Sequence, residues 1–326
     1  MNVLFSKEFD NILKKIDFSK LGKNVAIKIH FGEKGCDTYV SPDLVKEVYK
    51  KIISLGKKAT LVECNVLYRG ERTHASSHVR LAREHGFDFA PIDILDGELG
   101  DNFITVNGCK IGGGIRKYDS MVVISHFKGH MAAGFGGALK NLGMGLGSRA
   151  GKLAMHSNIK PKIIPNKCTG CGICIEHCNA KAISIVNGKS QINPELCEGC
   201  AMCIAFCSNG AILIPWASET SEGLQRKIVD YASAVVSLFH DKMIFINVLE
   251  NITEECDCMD EKQIPAIKDI GFIAGDNIVA VDKASLDLAN EHGFQKVQRH
   301  VNKNVQIDYA IEKGFGERDY NLIEIK

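Results

Sequence analysis

Short runs of β-branched residues alternate along this chain with longer stretches that place an apolar residue at every third or fourth position. That alternation predicts strands separated by helices. Val25-Ala-Ile-Lys-Ile-His-Phe31 closes at Gly32 and predicts a buried strand. Ser41-Pro42 then supplies a capping serine and a proline at the first helical position, and the helical period runs to Leu55 before Gly56 stops it. Thr60-Leu-Val-Glu63 predicts the next strand, and Ser76 to Glu84 the next helix, ended by Gly86. Asp96 to Ile115 breaks the rhythm with short strands and an Asn107-Gly108 turn, a hairpin excursion. Ser120-Met-Val-Val-Ile-Ser125 returns to the sheet. Helical spacing resumes from Glu222 to Phe239, and Lys242 to Leu249 is a further strand. Asp276 to Leu288 reads as turn, short strand and helix, and the tail as a helix over 305–313 and a strand over 322–325. The fold class that follows is α/β, a mainly parallel sheet with helices on both faces.

Residues 161–216 obey neither period. They hold two copies of one unit, Cys168-x2-Cys171-x2-Cys174-x3-Cys178 and Cys197-x2-Cys200-x2-Cys203-x3-Cys207. Pro165 and Pro194, Gly170 and Gly199, and Ala182-Ile183 and Ala211-Ile212 repeat at the same offset, the mark of a duplicated supersecondary unit. The spacing is that of the bacterial-type ferredoxin run, whose fourth cysteine ligates the other [4Fe–4S] cluster. Cys168, Cys171, Cys174 and Cys207 are therefore expected at one cluster, and Cys197, Cys200, Cys203 and Cys178 at the second. Disulfides are disfavoured inside cells, and structural zinc uses paired knuckles rather than triplets with a distant fourth ligand. Asn179 and Ser208 stand where the ferredoxin run carries proline, which restores two N–H donors near the sulfurs. The predicted organisation is an α/β domain in two parts, 1–160 and 217–326, interrupted by an inserted ferredoxin-like α+β domain with two [4Fe–4S] clusters over 161–216. Two separate α/β lobes with the clusters between them are the alternative.

The stretch from His126 to Lys152 is rich in glycine, follows a strand and opens a helix near Gly137. Its glycines either admit a ligand, with helix-start N–H groups, Lys140, Arg149 and Lys152 facing an anion, or serve tight packing. It matches neither a Walker A loop nor a dinucleotide fingerprint. His126, His130 and His156 flank it. Polar surface histidines are commoner than metal ligands, and Gly129 argues against the helix that would align His126 with His130. Cys256-Asp257-Cys258 follows a strand and can chelate a soft zinc or iron ion or cycle as a dithiol. Ordinary thiols are the competing explanation. Cys256, Cys258, His126, His130 and Lys140 are the catalytic candidates. Lys28, His30 and Glu33, at the end of the first strand, rank second, and Cys36, Cys64 and Cys109 read as small hydrophobes.

The 326 residues allow one large core plus a small domain. A net charge of +1 builds no field for nucleic acid or an anionic membrane. No stretch approaches the ~18 apolar residues that cross a bilayer, and the charged N-terminus has no secretory pattern. Thirteen cysteines, eight in cluster spacing, point to a reducing cytoplasm, that of an anaerobe.

The chain resembles the uncharacterised iron–sulfur-centre proteins of the domain of unknown function 362 group, in the form carrying a ferredoxin insertion. The resemblance rests on Lys28-Ile-His-Phe-Gly-Glu33, His126-Phe-Lys-Gly-His130, Gly134 to Gly145, Glu255-Cys-Asp-Cys258 and Asp269-Ile-Gly271. That family often has Asp-Pro where Asn277-Ile278 stand here. The resemblance implies cluster binding and a mixed α/β fold, without a reaction. The expectation is an iron–sulfur redox protein, an oxidoreductase, whose clusters relay electrons to or from an anion- or metal-binding site in the α/β domain. Its partners would be a redox protein or a small anionic substrate. A non-catalytic electron carrier or cluster-delivery module is the competing expectation.

Overall fold

A computed structural model describes residues 1–157 and 159–326. The apolar runs assemble into an eight-stranded sheet. From edge to edge it runs Asn321–Glu324, Asn2–Ser6, Gly271–Gly275, Met243–Leu249, Ser120–His126, Asn24–Lys28, Lys58–Glu63 and Ile92–Ile94. Only Gly271–Gly275 runs against its neighbours, so the sheet is mainly parallel. In the middle, Ile27 pairs with both Leu61 and Val122.

The two-residue strand period divides the core. Val25, Ile27, Val122 and Ile124 face one layer, under the Phe9–Lys15 and Pro42–Ser54 helices. Ala26, Met121, Val123 and Phe245 face the other, under Ala138–Leu146, Ser221–Val236 and Ile278–Glu291. Both faces are covered, which is why the strands read as continuous apolar runs.

Local chemistry sets the element ends. Ser41 accepts the Asp43 N–H ahead of Pro42, and Gly56, at φ +72°, stands just past the helix end. Asn107 and Gly108 both have positive φ, closing the hairpin of Phe103–Val106 and Cys109–Gly112. The strand expected over 25–31 ends at Lys28 rather than Phe31, although Ile29 and Phe31 stay fully buried. The short strand expected within 276–288 is absent. Asn277 accepts the Val279 and Ala280 N–H groups, so Ile278-Val-Ala-Val281 begins a helix, and the strand precedes it at 271–275. Asn277 thus supplies the helix cap through its side-chain oxygen.

The cysteine-rich segment enters and leaves side by side, because Lys162–Ile163 pairs with Ile212–Leu213. Within it, Ile183–Val186 pairs with Lys189–Ile192, and the short helices Ile173–Glu176 and Met202–Phe206 follow the cysteine loops. Its apolar interior includes Leu67 and Leu153 from the α/β body. Among the described residues no helix is long and apolar enough to cross a membrane.

Candidate functional site

From the Asn24–Lys28 strand the chain moves outward to one side of the sheet, and from its neighbour Ser120–His126 it moves to the other. Loops diverge at such a point, and open α/β sheets bind ligands beyond the carboxyl ends of the strands there. A cavity of about 700 Å³ lies at this place, within the ~300–1,000 Å³ range of small-molecule sites. His30, Cys64 and Arg72 reach it from one side. Lys128, His130, Lys140 and the Cys256–Cys258 segment reach it from the other.

Strand ends supply a buried ionic floor. Lys28 Nζ lies 2.8 Å from Glu63 Oε1 and donates to Asn141 Oδ1 at 2.7 Å. Glu63 Oε2 is 3.0 Å from His30 Nδ1, and Arg72 Nη1 is 3.1 Å from that same nitrogen. Arg72 Nε donates to Glu33 Oε2 at 3.1 Å, and the Tyr68 hydroxyl donates to it at 2.9 Å. Burial raises the Glu63 carboxyl, but Lys28 and His30 outweigh it and hold the group below the usual range. Burial and Arg72 push His30 down to about 4.

Asp257 is a second anchor. It is fully buried, accepts from His126 Nδ1 at 2.8 Å and Thr38 Oγ1 at 3.1 Å, and lies 3.0 Å from Lys128 Nζ. Its carbonyl accepts the Glu33 N–H at 2.9 Å. The middle residue is thus fastened into the body, while Cys256 and Cys258 line the cavity with their sulfurs joined in a disulfide. His126 does not line the cavity. Its Nε2 lies 3.1 Å from the Glu250 and Asn251 carbonyls, so both ring nitrogens are committed to hydrogen bonds. It positions Asp257 instead.

The glycine-rich loop divides its duties. An added Cβ would meet Asp282 Oδ1 at 2.4 Å from Gly137, the Ile228 carbonyl at 2.1 Å from Gly143 and Lys28 Nζ at 2.6 Å from Gly145. These three positions are glycine for packing. The helix-start N–H groups expected to face an anion are already taken: Ala138 and Leu139 donate to Asp282 at 2.7 and 2.8 Å. That corrects the helix-start expectation, because a buried carboxylate from the Ile278–Glu291 helix arrives there first. Gly136 has a different role. The Lys140 and Lys128 stems pass 3.4 and 3.5 Å from where its Cβ would stand, side by side over a missing side chain. Lys140 has no hydrogen-bond acceptor or carboxylate partner among the described residues, and burial and then Lys128 depress its ammonium to about 7. Burial, and Lys140 after it, lowers His130 and brings His156 down to about 4. His130 Nδ1 faces the Ala132 and Ala133 N–H groups, at the end of the extended Lys128–His130 segment. Lys152 donates to the Gly145 and Gly147 carbonyls, at 3.2 and 2.6 Å. Arg149 turns away, to the carbonyls of Leu99 and Thr73.

The eight repeat cysteines gather in two further cavities. Cys168, Cys171, Cys174 and Cys207 line one, and Cys178, Cys197, Cys200 and Cys203 the other. Each takes its fourth cysteine from the opposite run. Ala182 and Ala211 donate their N–H groups to the Cys178 and Cys207 sulfurs, both at 3.2 Å. These donors, rather than Asn179 and Ser208, serve the sulfurs, and they occupy the same place in both repeats. Among the described residues no group of three or more His, Cys, Asp or Glu side chains is placed to hold a single metal ion. A cube asks for something else, one thiolate at each of four irons.

The sequence pointed to His30, His130, Lys140 and the cysteine pair, which line one cavity, and to Lys28, which lies buried beneath it against Glu63. The structure places Glu33 beside that cavity, bound to Arg72 and Tyr68. Sequence reasoning missed Glu63, Arg72, Tyr68, Asp282 and Trp216. Glu63 ends an apolar strand and Asp282 interrupts an apolar helical face, which were the available signals.

A family model described as "Domain of unknown function (DUF362)" matches residues 25–287. None of the curated proteins matches the chain. Among solved structures it is similar to the lactate racemase apoprotein from Thermoanaerobacterium thermosaccharolyticum, with a TM-score of 0.44 and 13% identity over 89% of this chain and 57% of that one. A crystal structure of a Thermotoga maritima protein gives a TM-score of 0.40 and 10% identity, covering 86% of this chain and 57% of that chain. The chain therefore spans little more than half the length of either structure.

Proposed function

Since the chain belongs to the DUF362 family, whose description carries no reaction, we propose a function from the site itself. The protein is a cytoplasmic iron–sulfur oxidoreductase whose inserted ferredoxin-like domain, 161–216, binds two [4Fe–4S] clusters that relay electrons to or from an anionic ligand in the central cavity. The observation that carries this reading is the pair of four-cysteine cavities, each completed by the other run's last cysteine. Thiolate sulfur is the ligand such clusters take, and the Ala182 and Ala211 N–H groups would tune them. When bound, each cube supplies one-electron chemistry. The protein's own part is placement: Cys203 and Leu67 share one apolar cluster, and Leu67 also lines the central cavity. Lys140, with no carboxylate in contact among the described residues, would hold the ligand's negative charge.

A simple electron carrier would need only a docking face. A concave site joining the glycine-rich loop to Cys256 and Cys258 favours the enzyme. The test is anaerobic purification with iron, sulfide and zinc analysis. About eight irons and eight labile sulfides per chain are expected, as two cubes require. Two zincs without visible charge-transfer absorption would overturn the assignment. Cys178→Ser should damage the cluster of the Cys197 run first, and Cys207→Ser that of the Cys168 run.

A further inference from the structure

Taking its electron source and its reducing compartment from that reading, we infer that Cys256 and Cys258 form a redox-active disulfide that exchanges with a small carboxylate-bearing disulfide bound in the central cavity. Of the thirteen cysteines this pair alone is joined. In a reducing compartment a disulfide is usually transient and catalytic or redox-sensing. Its surroundings fit a working pair. Asp257 is locked from three sides by His126, Lys128 and Thr38, so the flanking sulfurs keep their place on the cavity wall whichever redox state they are in. Cys256 is 4% exposed, whereas Cys258 is partly open. Access decides which sulfur attacks, so Cys258 is the attacking thiol and Cys256 the resolving one.

Ligand charge follows from what the wall leaves unmatched. Lys28, Lys128 and Arg72 are answered by Glu63, Asp257 and Glu33. Lys152 meets only carbonyls, and Lys140 meets no acceptor among the described residues. Two cations with no carboxylate in contact, reached by Asp257, Glu63 and Asp96 only at longer range, suit a ligand bearing carboxylates. Met131, Met144, Trp216 and Leu224 offer apolar surface for its body.

The chemistry balances. Two electrons from a one-electron donor of the ferredoxin class, together with two protons, cleave the Cys256–Cys258 bond to two thiols. The Cys258 thiolate then attacks one sulfur of the bound disulfide, whose S–S bond breaks and releases a first thiolate. Cys256 attacks Cys258 in the mixed disulfide, re-forms the internal bond and releases the second. The two thiol protons finish on the two departing thiolates.

The experiment uses the full-length, cluster-loaded protein under anaerobic conditions and follows the Cys256–Cys258 peptide by alkylation and mass spectrometry. Protein reduced with dithiothreitol and freed of it is mixed with dithiodipropionate, a dianion, or with cystamine, a dication. Each rate is divided by that of free dithiothreitol with the same probe. The dianion should re-form the internal disulfide on the order of tenfold faster, and Lys140→Ala should remove that preference without slowing cystamine. Equal normalised rates, or a pair that never returns to its internal disulfide, would overturn the inference. A separate arm supplies dithionite instead. Thiols at the pair in the wild type, but not in Cys197→Ser, would support the relay. Selective exchange after dithiothreitol without reduction by dithionite would sink the relay and leave the exchange standing.

Discussion

Lys140 is held in a state that folding alone would not choose. Its ammonium titrates near 7 rather than 10.5 because burial disfavours the charge and Lys128 and Lys28 repel it, with Asp257 and Glu63 only partly compensating. Between those pH values the unfolded chain keeps a proton that the folded chain has released. Stability therefore falls as pH drops from about 10.5 to 7, by at most about 1.4 kcal/mol per pH unit from this group, and the loss is complete below 7. Lys140→Met should remove that slope and raise the melting temperature at neutral pH. It should also weaken binding of inorganic phosphate by on the order of 1.5–3 kcal/mol. Denaturant titrations at several pH values check the first, and calorimetry the second. A variant that is less stable at neutral pH would mean the ammonium is satisfied after all. The lysine was legible because it stands in a glycine-rich stretch, His126 to Lys152, with few other charges. Glu63 and Arg72 were not, since their partners come from segments tens of residues away and no local pattern announces a long-range ion pair.

At the scale of elements, the two cysteine repeats provide an internal control. Gly172 and Ala201 occupy the same place before the third cysteine, and both are left-handed, at φ +80° and +63°. A Cβ at Gly172 would meet open space. Gly172→Ala should therefore cost about 1–2 kcal/mol of backbone strain and leave the iron content unchanged, because Ala201 already tolerates the conformation. Loss of iron would show that the repeats are not equivalent. Helices with a cap and a stop, such as Pro42–Ser54, could be read almost to the residue. The Asn2–Ser6 strand could not. It is five residues long, and its place between Gly271–Gly275 and Asn321–Glu324 depends on partners at the far end of the chain. The strand expected inside 276–288 failed for a related reason: a capped helix and a buried strand both begin with an apolar run, and only Asn277 separates them.

For the whole molecule, the paired ends of the cysteine-rich segment set an expectation about autonomy. Ile163 faces Ile212 across the joint, so residues 164–211 can be replaced by an Asn-Gly turn without stretching the chain. The shortened protein should still unfold in one cooperative transition, at a lower temperature, because Leu67 and Leu153 lose their cover. Each newly exposed side chain costs on the order of 1.5–3 kcal/mol. Bound iron should vanish, and a thermal melt with metal analysis measures both. A chain that no longer unfolds cooperatively would show that the eight-stranded sheet needs the insert to form. The broad α/β plan was legible because strand and helix periods differ, whereas the cavity was not, being made by loops that meet only once the sheet order is known. The joint also bears on descent. A module whose two ends leave the body side by side can be acquired by one in-frame insertion and lost by one deletion, and a lineage could shed its cysteines while every strand of the sheet kept the neighbours it had before.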